Sequence, residues 1–84
     1  MTQDELKALK VDKVIDARGS SCPGPLLEAK KGIGAVAVGQ IIEIQSNDAG
    51  TKKDIPAWAA KVGHECLGVI EDPSFDRVFV KRLK

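Results

Sequence analysis

The sequence is poor in aromatic residues and has almost no excess of positive charge. It has no Tyr, one Trp and two Phe among 84 residues. Lys and Arg number 13 against 12 Asp and Glu, which gives a formal net charge of +1, and they form no polybasic run. Proteins that bind nucleic acid usually present a basic patch together with a recognition motif. We therefore expect no direct nucleic-acid partner.

Long hydrophobic runs are also missing. No apolar stretch approaches the roughly 20 residues that a membrane-spanning helix needs, and the opening MTQDELKALK lacks the apolar segment of a secretory signal. A chain of 84 residues has room for one compact domain. We expect a single domain over residues 1–84 that is soluble, cytoplasmic and without a membrane partner.

Cysteine and histidine are scarce, and the sequence contains only Cys22, Cys66 and His64. Two distant cysteines and one histidine do not supply the four ligands of a structural zinc site, so we predict no metal. A cytoplasmic chain that is poor in cysteine is expected to keep its thiols reduced. Cys66 lies among apolar residues of a predicted strand, which favours a buried and unreactive thiol.

The spacing of apolar and turn-forming residues predicts the element order β-α-β-α-β-β. The strands are predicted at 11–17, at 40–46 and as a hairpin within 64–83, and the helices at 25–37 and 51–63. This order favours an α+β two-layer sandwich, in which a mixed four-stranded sheet has two helices on one face. Residues 1–10 fit a flexible tail or a short helix, and the sequence leaves both open.

Pro56 limits the second helix, because proline inside a helix removes a backbone hydrogen bond and clashes with the preceding turn. We therefore expect the regular part of this helix to start near Asp54, with the Asp54 carboxylate as N-cap. In the first helix, Gly32 and Gly34 each cost about 1 kcal/mol relative to alanine, so tertiary packing must stabilise its second half.

The most informative stretch is SSCPGPLLEAKK at residues 20–31, which places Cys22 at the start of the first helix. Unpaired N–H groups and the helix dipole favour an anion there, and the thiolate is the nucleophilic form of cysteine. Pro23 suits the first helical position with Cys22 as N-cap, whereas Pro25 suits a later start, and both registers stay open. Gly24 adds no side chain beside the thiol, which leaves it accessible to a large partner.

The sequence around Cys22 disfavours two familiar thiol chemistries. A thiol-disulfide oxidoreductase would carry a second cysteine three positions after the first, where this chain has Pro25. A hydrolytic cysteine would need a histidine base, and the sequence does not give the distance to the one candidate, His64, at the start of the third predicted strand. A solvated ring is expected there, unless the sheet brings His64 close enough to polarise a persulfide on Cys22. A single activated thiol can still accept a sulfane sulfur as a persulfide and pass it on. The simpler alternative is a cysteine that serves only as a small N-cap.

The chain also shows a family resemblance, carried by the stretches DARGSSCPGP at 16–25, Asn47-Asp48 followed by Asp54-Ile55-Pro56, and Gly63-His64-Glu65. These stretches resemble the TusA/SirA family of sulfur-carrier proteins over nearly the whole chain beyond the N-terminal tail. The resemblance implies the same β-α-β-α-β-β sandwich and a persulfide on Cys22 with no separate cofactor. The resemblance implies Pro23 and Pro25 as motif support. We add Gly24, Asp16 and Gly19 as further candidates for support of the motif.

The resemblance further implies a sulfur relay between two proteins. The donor would be a cysteine desulfurase or a rhodanese-like enzyme, and the acceptor a DsrE-like or similar protein. The chemistry is that of a sulfurtransferase, in a carrier rather than in an enzyme that turns over alone. Two departures, Gly24 where tRNA-thiolation members often have an acidic residue and Ser20 where they have leucine, leave the pathway and the acceptor open.

Basic residues near the motif suggest a docking surface for an acidic partner. Arg18, Lys52 and Lys53 are the candidates, although charged residues are as often merely solvated. Asp16 is expected to orient the loop by bonding its backbone. Two other functions stay open at this point. One is a regulatory or interaction module that binds protein or RNA through the basic positions, and the other is a redox-sensing thiol at Cys22.

Overall fold

The computed structural model describes residues 3–19, 24–48 and 50–84. In these ranges the chain forms three helices and four strands. In chain order they are α1 (Gln3–Lys7), β1 (Lys13–Asp16), α2 (Gly24–Ala35), β2 (Ile41–Ser46), α3 (Thr51–Val62), β3 (Glu65–Glu71) and β4 (Asp76–Lys81). The predicted order β-α-β-α-β-β is confirmed from β1 onward, and α1 adds a short helix before it.

The four strands form one mixed sheet with the order β1-β2-β4-β3. β1 and β2 are parallel and are joined by α2, because a parallel pair needs a crossover connection. β4 is antiparallel to both β2 and β3. The last two strands form the predicted hairpin, and in its turn the Asp72 N–H donates to the Phe75 carbonyl at 3.0 Å.

The main core lies between the sheet and the two longer helices. Alternating residues of β2 and β4 form the sheet side of this core. Residues of α2 and α3 pack on them from the helix side. Burial of one such Ile or Val side chain contributes about 1.5–3 kcal/mol to folding. The buried members are Ile15, Ala17, Ala29, Ile33, Val36, Ile42, Ile44, Ile55, Ala59, Val78 and Val80.

A second cluster holds α1 in place. Leu6 of α1 is only 2% exposed and packs with Ile70 and Phe79, which are also buried. A helix of five residues is not stable on its own. The contact with β3 and β4 therefore explains why this segment is helical.

The first long helix, α2, ends earlier than predicted. Its last residue is Ala35, and Ala37 lies beyond it with an exposed side chain. Gly32 has a packing role that helix propensity did not show: a Cβ atom at this position would lie 2.0 Å from Cδ1 of Ile15. The absence of a side chain at Gly32 thus lets α2 lie close against β1.

The prediction for the start of α3 is wrong. The helix begins at Thr51 with Gly50 at the cap position, so Asp54 is not the N-cap and Pro56 lies inside the helix. Asp48 supports the early start, because its carboxylate accepts the Gly50 N–H at 2.8 Å and its carbonyl accepts the Thr51 N–H at 3.1 Å. The hydrogen bonds to Asp48 stabilise the early start, and they outweigh the loss of the one helix hydrogen bond that Pro56 cannot donate.

No helix in the described part of the chain is long and apolar enough to cross a membrane.

Candidate functional site

Three chain segments meet at one end of the sheet. β1 and β2 are parallel and in register, so Asp16 and Gln45 at their carboxyl ends lie side by side. Ser46 at the end of β2 pairs with Asp76 at the start of β4. Because α2 follows β1 and α3 follows β2, both helices begin near this end, where parallel strands commonly present functional loops.

The predicted reactive residue belongs to the loop between β1 and α2. Cys22 and Pro23 lie outside the described residues, as does Ser20, and so does the choice between the two helix registers. Their predicted roles stay predictions. The structure does show that α2 begins at Gly24, two residues after Cys22 in the sequence, and that Pro25 lies within its first turn.

The loop leaves β1 through a bidentate ion pair between Asp16 and Arg18. The Asp16 carboxylate accepts the Arg18 backbone N–H at 3.1 Å, Nε at 2.9 Å and Nη2 at 3.0 Å. These hydrogen bonds lower the pKa of Asp16 to about 2 and raise the pKa of Arg18. Asp16 therefore bonds the loop backbone in the way that we expected of it.

The Arg18 guanidinium also reaches the β3–β4 turn. Its Cζ atom lies 5.1 Å from the ring centroid of Phe75. A cation above an exposed aromatic ring contributes about 0.5–1 kcal/mol. Since Asp16 and Phe75 both engage the guanidinium, Arg18 is fixed in position, and its charge is compensated by a carboxylate.

Gly19 ties this loop to the segment after β2. Its backbone N–H donates to Oδ1 of Asn47 at 2.9 Å. The φ angle of Gly19 is +87°, a left-handed conformation that favours glycine. In the sequence, Asn47 was notable only as a turn residue and for the family resemblance, and nothing indicated its contact with Gly19.

Of the two lysines predicted for docking, Lys52 is ion-paired. Its Nζ lies 3.7 Å from Oε1 of Glu71 and 3.9 Å from Oδ2 of Asp76. Lys53 is exposed. The structure therefore pairs Arg18 and Lys52 with carboxylates of this chain, which reduces the net positive charge of the predicted docking surface. Docking at these residues stays a prediction.

His64 and Cys66 lie away from this end of the sheet. His64 follows α3, whose 12 residues span about 18 Å. Its Nδ1 accepts the Leu83 N–H at 3.2 Å, and burial lowers the pKa of His64. His64 is half-buried and its hydrogen bond lies at an exposed position, so the residue keeps part of the solvent exposure that the sequence led us to expect. Cys66 is a half-buried free thiol whose pKa is raised by burial, which agrees with the expected low reactivity.

Comparison with known proteins identifies the family. The family model described as Sulfurtransferase TusA matches residues 13–82. The chain belongs to the TusA family. This confirms the resemblance that the sequence showed, and the matched range includes every element from β1 to β4 as well as Cys22.

Individual relatives agree with this TusA assignment. A protein of Archaeoglobus fulgidus that is proposed to be a sulfur carrier is 48% identical over 71 residues, covering 84% of this chain and 97% of the relative. The sulfur carrier protein TusA of Allochromatium vinosum is 34% identical over 71 residues, covering 84% and 93%.

A solved structure confirms the TusA-type fold. The crystal structure of a SirA-like protein from Desulfitobacterium hafniense matches with a TM-score of 0.75, covering 86% of this chain and 99% of the other. The two chains are 20% identical in sequence, so the match concerns the fold alone.

Proposed function

We propose that this TusA-family protein is a cytoplasmic sulfur carrier that holds a sulfane sulfur as a persulfide on Cys22. The observation that carries the proposal is the family match over residues 13–82, a range that includes Cys22, which precedes the first residue of α2 by two positions in the sequence. The relatives from Archaeoglobus fulgidus and Allochromatium vinosum, of which the first is proposed to be a sulfur carrier and the second is named as one, support it.

The proposed transfer consists of two thiolate attacks. In the first, the Cys22 thiolate attacks the outer sulfur of a protein persulfide, R–S–SH. A new S–S bond forms on Cys22, the S–S bond of the donor breaks, and the donor leaves as a thiolate. In the second, a thiolate of the acceptor protein attacks the outer sulfur on Cys22, and Cys22 leaves as the thiolate. No net oxidation occurs, so the chemistry requires no redox cofactor.

The start of α2 two positions after Cys22 in the sequence favours the thiolate form of Cys22, which both steps require. The amino end of α2 provides backbone N–H groups and the positive end of a 12-residue helix dipole, which favour a thiolate nearby. The Arg18 side chain is already bound by Asp16, so we assign electrostatic support of the thiolate chiefly to α2. The donor class, a cysteine desulfurase or a rhodanese-like enzyme, and an acceptor protein complete the proposed relay.

Mass spectrometry of matched cysteine variants tests the proposal. The reduced protein is incubated with a cysteine desulfurase and cysteine, or with polysulfide, and the intact mass is measured before and after an excess of thiol. We expect one added sulfur in the wild type and in Cys66→Ser, and none in Cys22→Ser. If Cys22→Ser gains the same reducible sulfur, or if every donor leaves the folded wild type unmodified, the proposal is wrong.

A further inference from the structure

The contact between Gly19 and Asn47 joins two loops that the strands themselves do not connect. We propose that Asn47 is a positioning residue for Cys22, which sets the path of the β1–α2 loop by holding the backbone of Gly19. The proposal rests on the sulfur-carrier function above and adds to it a residue outside the cysteine motif.

The first argument comes from where the ladder between β1 and β2 ends. The Ala17 N–H donates to the Gln45 carbonyl at 2.8 Å, one residue past the end of β1. The Gly19 N–H then donates to the Asn47 side chain at 2.9 Å, across 28 positions of sequence. Asn47 thus extends the attachment of this segment to β2 by two more residues. Gly19 precedes Cys22 by three residues and is the last described residue before it.

The second argument is that the backbone on both sides of Asn47 is fixed. Ser46 is buried, and its hydroxyl is hydrogen-bonded to the Thr51 hydroxyl at 2.8 Å. The same hydroxyl accepts the Asp48 N–H at 3.1 Å, and the Asp48 carboxylate accepts the Gly50 N–H. Asn47 is therefore attached to the start of α3, and its Oδ1 is an acceptor in a defined place.

The third argument separates positioning from folding. The Asn47 side chain is exposed, so its removal opens no cavity in the core. A Cβ atom at Gly19 would meet nothing within 4 Å, so the hydrogen bond to Asn47, rather than side-chain packing, attaches Gly19 to the neighbouring segment. Loss of the Asn47 contact should therefore alter the loop that contains Cys22 more than it alters global stability.

The test compares two substitutions at Asn47 with a matched control. Asn47→Ala removes the acceptor, and Asn47→Asp keeps an acceptor oxygen at the same place. The control Gln40→Ala also removes one exposed hydrogen bond from a side chain to the backbone, but a local one just before β2, where Gln40 Oε1 accepts the Ala37 N–H at 2.7 Å. For each protein, the rate of sulfur uptake by Cys22 from polysulfide is measured as a function of pH, together with the rate of alkylation by iodoacetamide and the urea unfolding curve.

We expect Asn47→Ala to lower the high-pH plateau of sulfur uptake by roughly 3- to 10-fold, because a misplaced thiol reacts more slowly. The unfolding midpoint should fall no further in Asn47→Ala than in Gln40→Ala, since each variant loses one hydrogen bond. Asn47→Asp should restore the plateau, and Gln40→Ala should leave it unchanged. An unchanged plateau in Asn47→Ala, no restoration in Asn47→Asp, or an equal loss in Gln40→Ala would each overturn the assignment.

The failure of the carrier function is distinguishable from the failure of this inference. If the wild type takes up no sulfur, the proposed function is wrong, and the alkylation rate of Cys22 carries the same comparison among the variants. A drop in that rate for Asn47→Ala with restoration by Asn47→Asp still supports positioning of the thiol. Equal alkylation rates in all variants overturn it.

Discussion

At the scale of single residues, the described side chains of the candidate site bind one another or the nearby backbone. Asp16 holds Arg18, Arg18 lies over Phe75, and Asn47 holds Gly19. These contacts hold Arg18 and Gly19, which follow β1, in place, and the Asp16 carboxylate compensates the positive charge of Arg18. The sequence predicted the bond from Asp16 to the loop backbone, which the structure shows, and a reactive thiol at Cys22, which stays a prediction. It did not indicate the partners of Arg18, since Phe75 is distant in the chain.

The pKa of Asp16 provides a prediction at this scale. It is lowered from 3.8 to about 2 by the Arg18 hydrogen bonds. A depressed folded-state pKa means that the pair stabilises the fold above about pH 4 and that this contribution is lost as the pH falls from about 4 to 2. Both side chains are exposed, so the effect on stability is small.

NMR titration of the side-chain carboxyl carbons checks this expectation. In the wild type, Asp16 should titrate near 2, and in Arg18→Met it should return toward 3.8. An Asp16 carboxyl that titrates near 3.8 in both proteins would show that the ion pair does not persist in solution.

At the scale of helices and strands, close packing determines details that propensity does not. Gly32 and Gly34 looked equivalent in the sequence, as two helix-weakening residues of α2. In the structure a Cβ atom at Gly32 would collide with Ile15, whereas a Cβ atom at Gly34 would meet nothing within 4 Å. Substitution by alanine is therefore expected to lower the free energy of unfolding at Gly32 and to raise it at Gly34.

The pair Gly32→Ala and Gly34→Ala tests the contact between α2 and β1. Gly34→Ala should raise the free energy of unfolding by up to about 1 kcal/mol through helix propensity. Gly32→Ala should lower it, because overpacking a core contact costs about 1–3 kcal/mol and exceeds that gain. Urea unfolding measures both. Equal stabilisation by the two substitutions would contradict the close approach of α2 to β1.

The contact of α1 with the sheet gives a second prediction at this scale. Leu6 is buried, so Leu6→Ala should lower the free energy of unfolding by about 2–5 kcal/mol. Leu83 is 45% exposed, and Leu83→Ala should change it by less than about 0.5 kcal/mol. Urea unfolding of the two variants provides the measurement. Similar small effects for both would mean that α1 does not pack on β3 and β4 in solution.

The sequence predicted the elements well where apolar periodicity was strong, as in β2 and in the β3–β4 hairpin. It was wrong at the start of α3, because Pro56 suggested a late start while Asp48, Gly50 and Thr51 support an early one. It did not decide whether residues 1–10 form a tail or a short helix, because α1 depends on the tertiary contact of Leu6 with the sheet. Such contacts join residues that are far apart in the chain, and a linear pattern does not contain them.

At the scale of the whole molecule, a single parallel strand pair organises the candidate site. Because β1 and β2 run in the same direction, the loops after both strands reach one end of the sheet, together with the β3–β4 turn. The site therefore draws on segments from the first, middle and last parts of the chain. The sequence predicted this mixed sheet and the family, while the choice of donor and acceptor depends on surfaces of other proteins.

The measurement that tests the central claim most directly is peptide mapping of the wild-type protein after sulfur loading. The account predicts one thiol-reducible sulfur on the peptide that contains Cys22 and none on the peptide that contains Cys66. It also predicts that a thiol-bearing acceptor removes this sulfur and regenerates the free Cys22 thiol. Sulfur on the Cys66 peptide alone, or a Cys22 peptide that stays unmodified with every donor, would contradict the account.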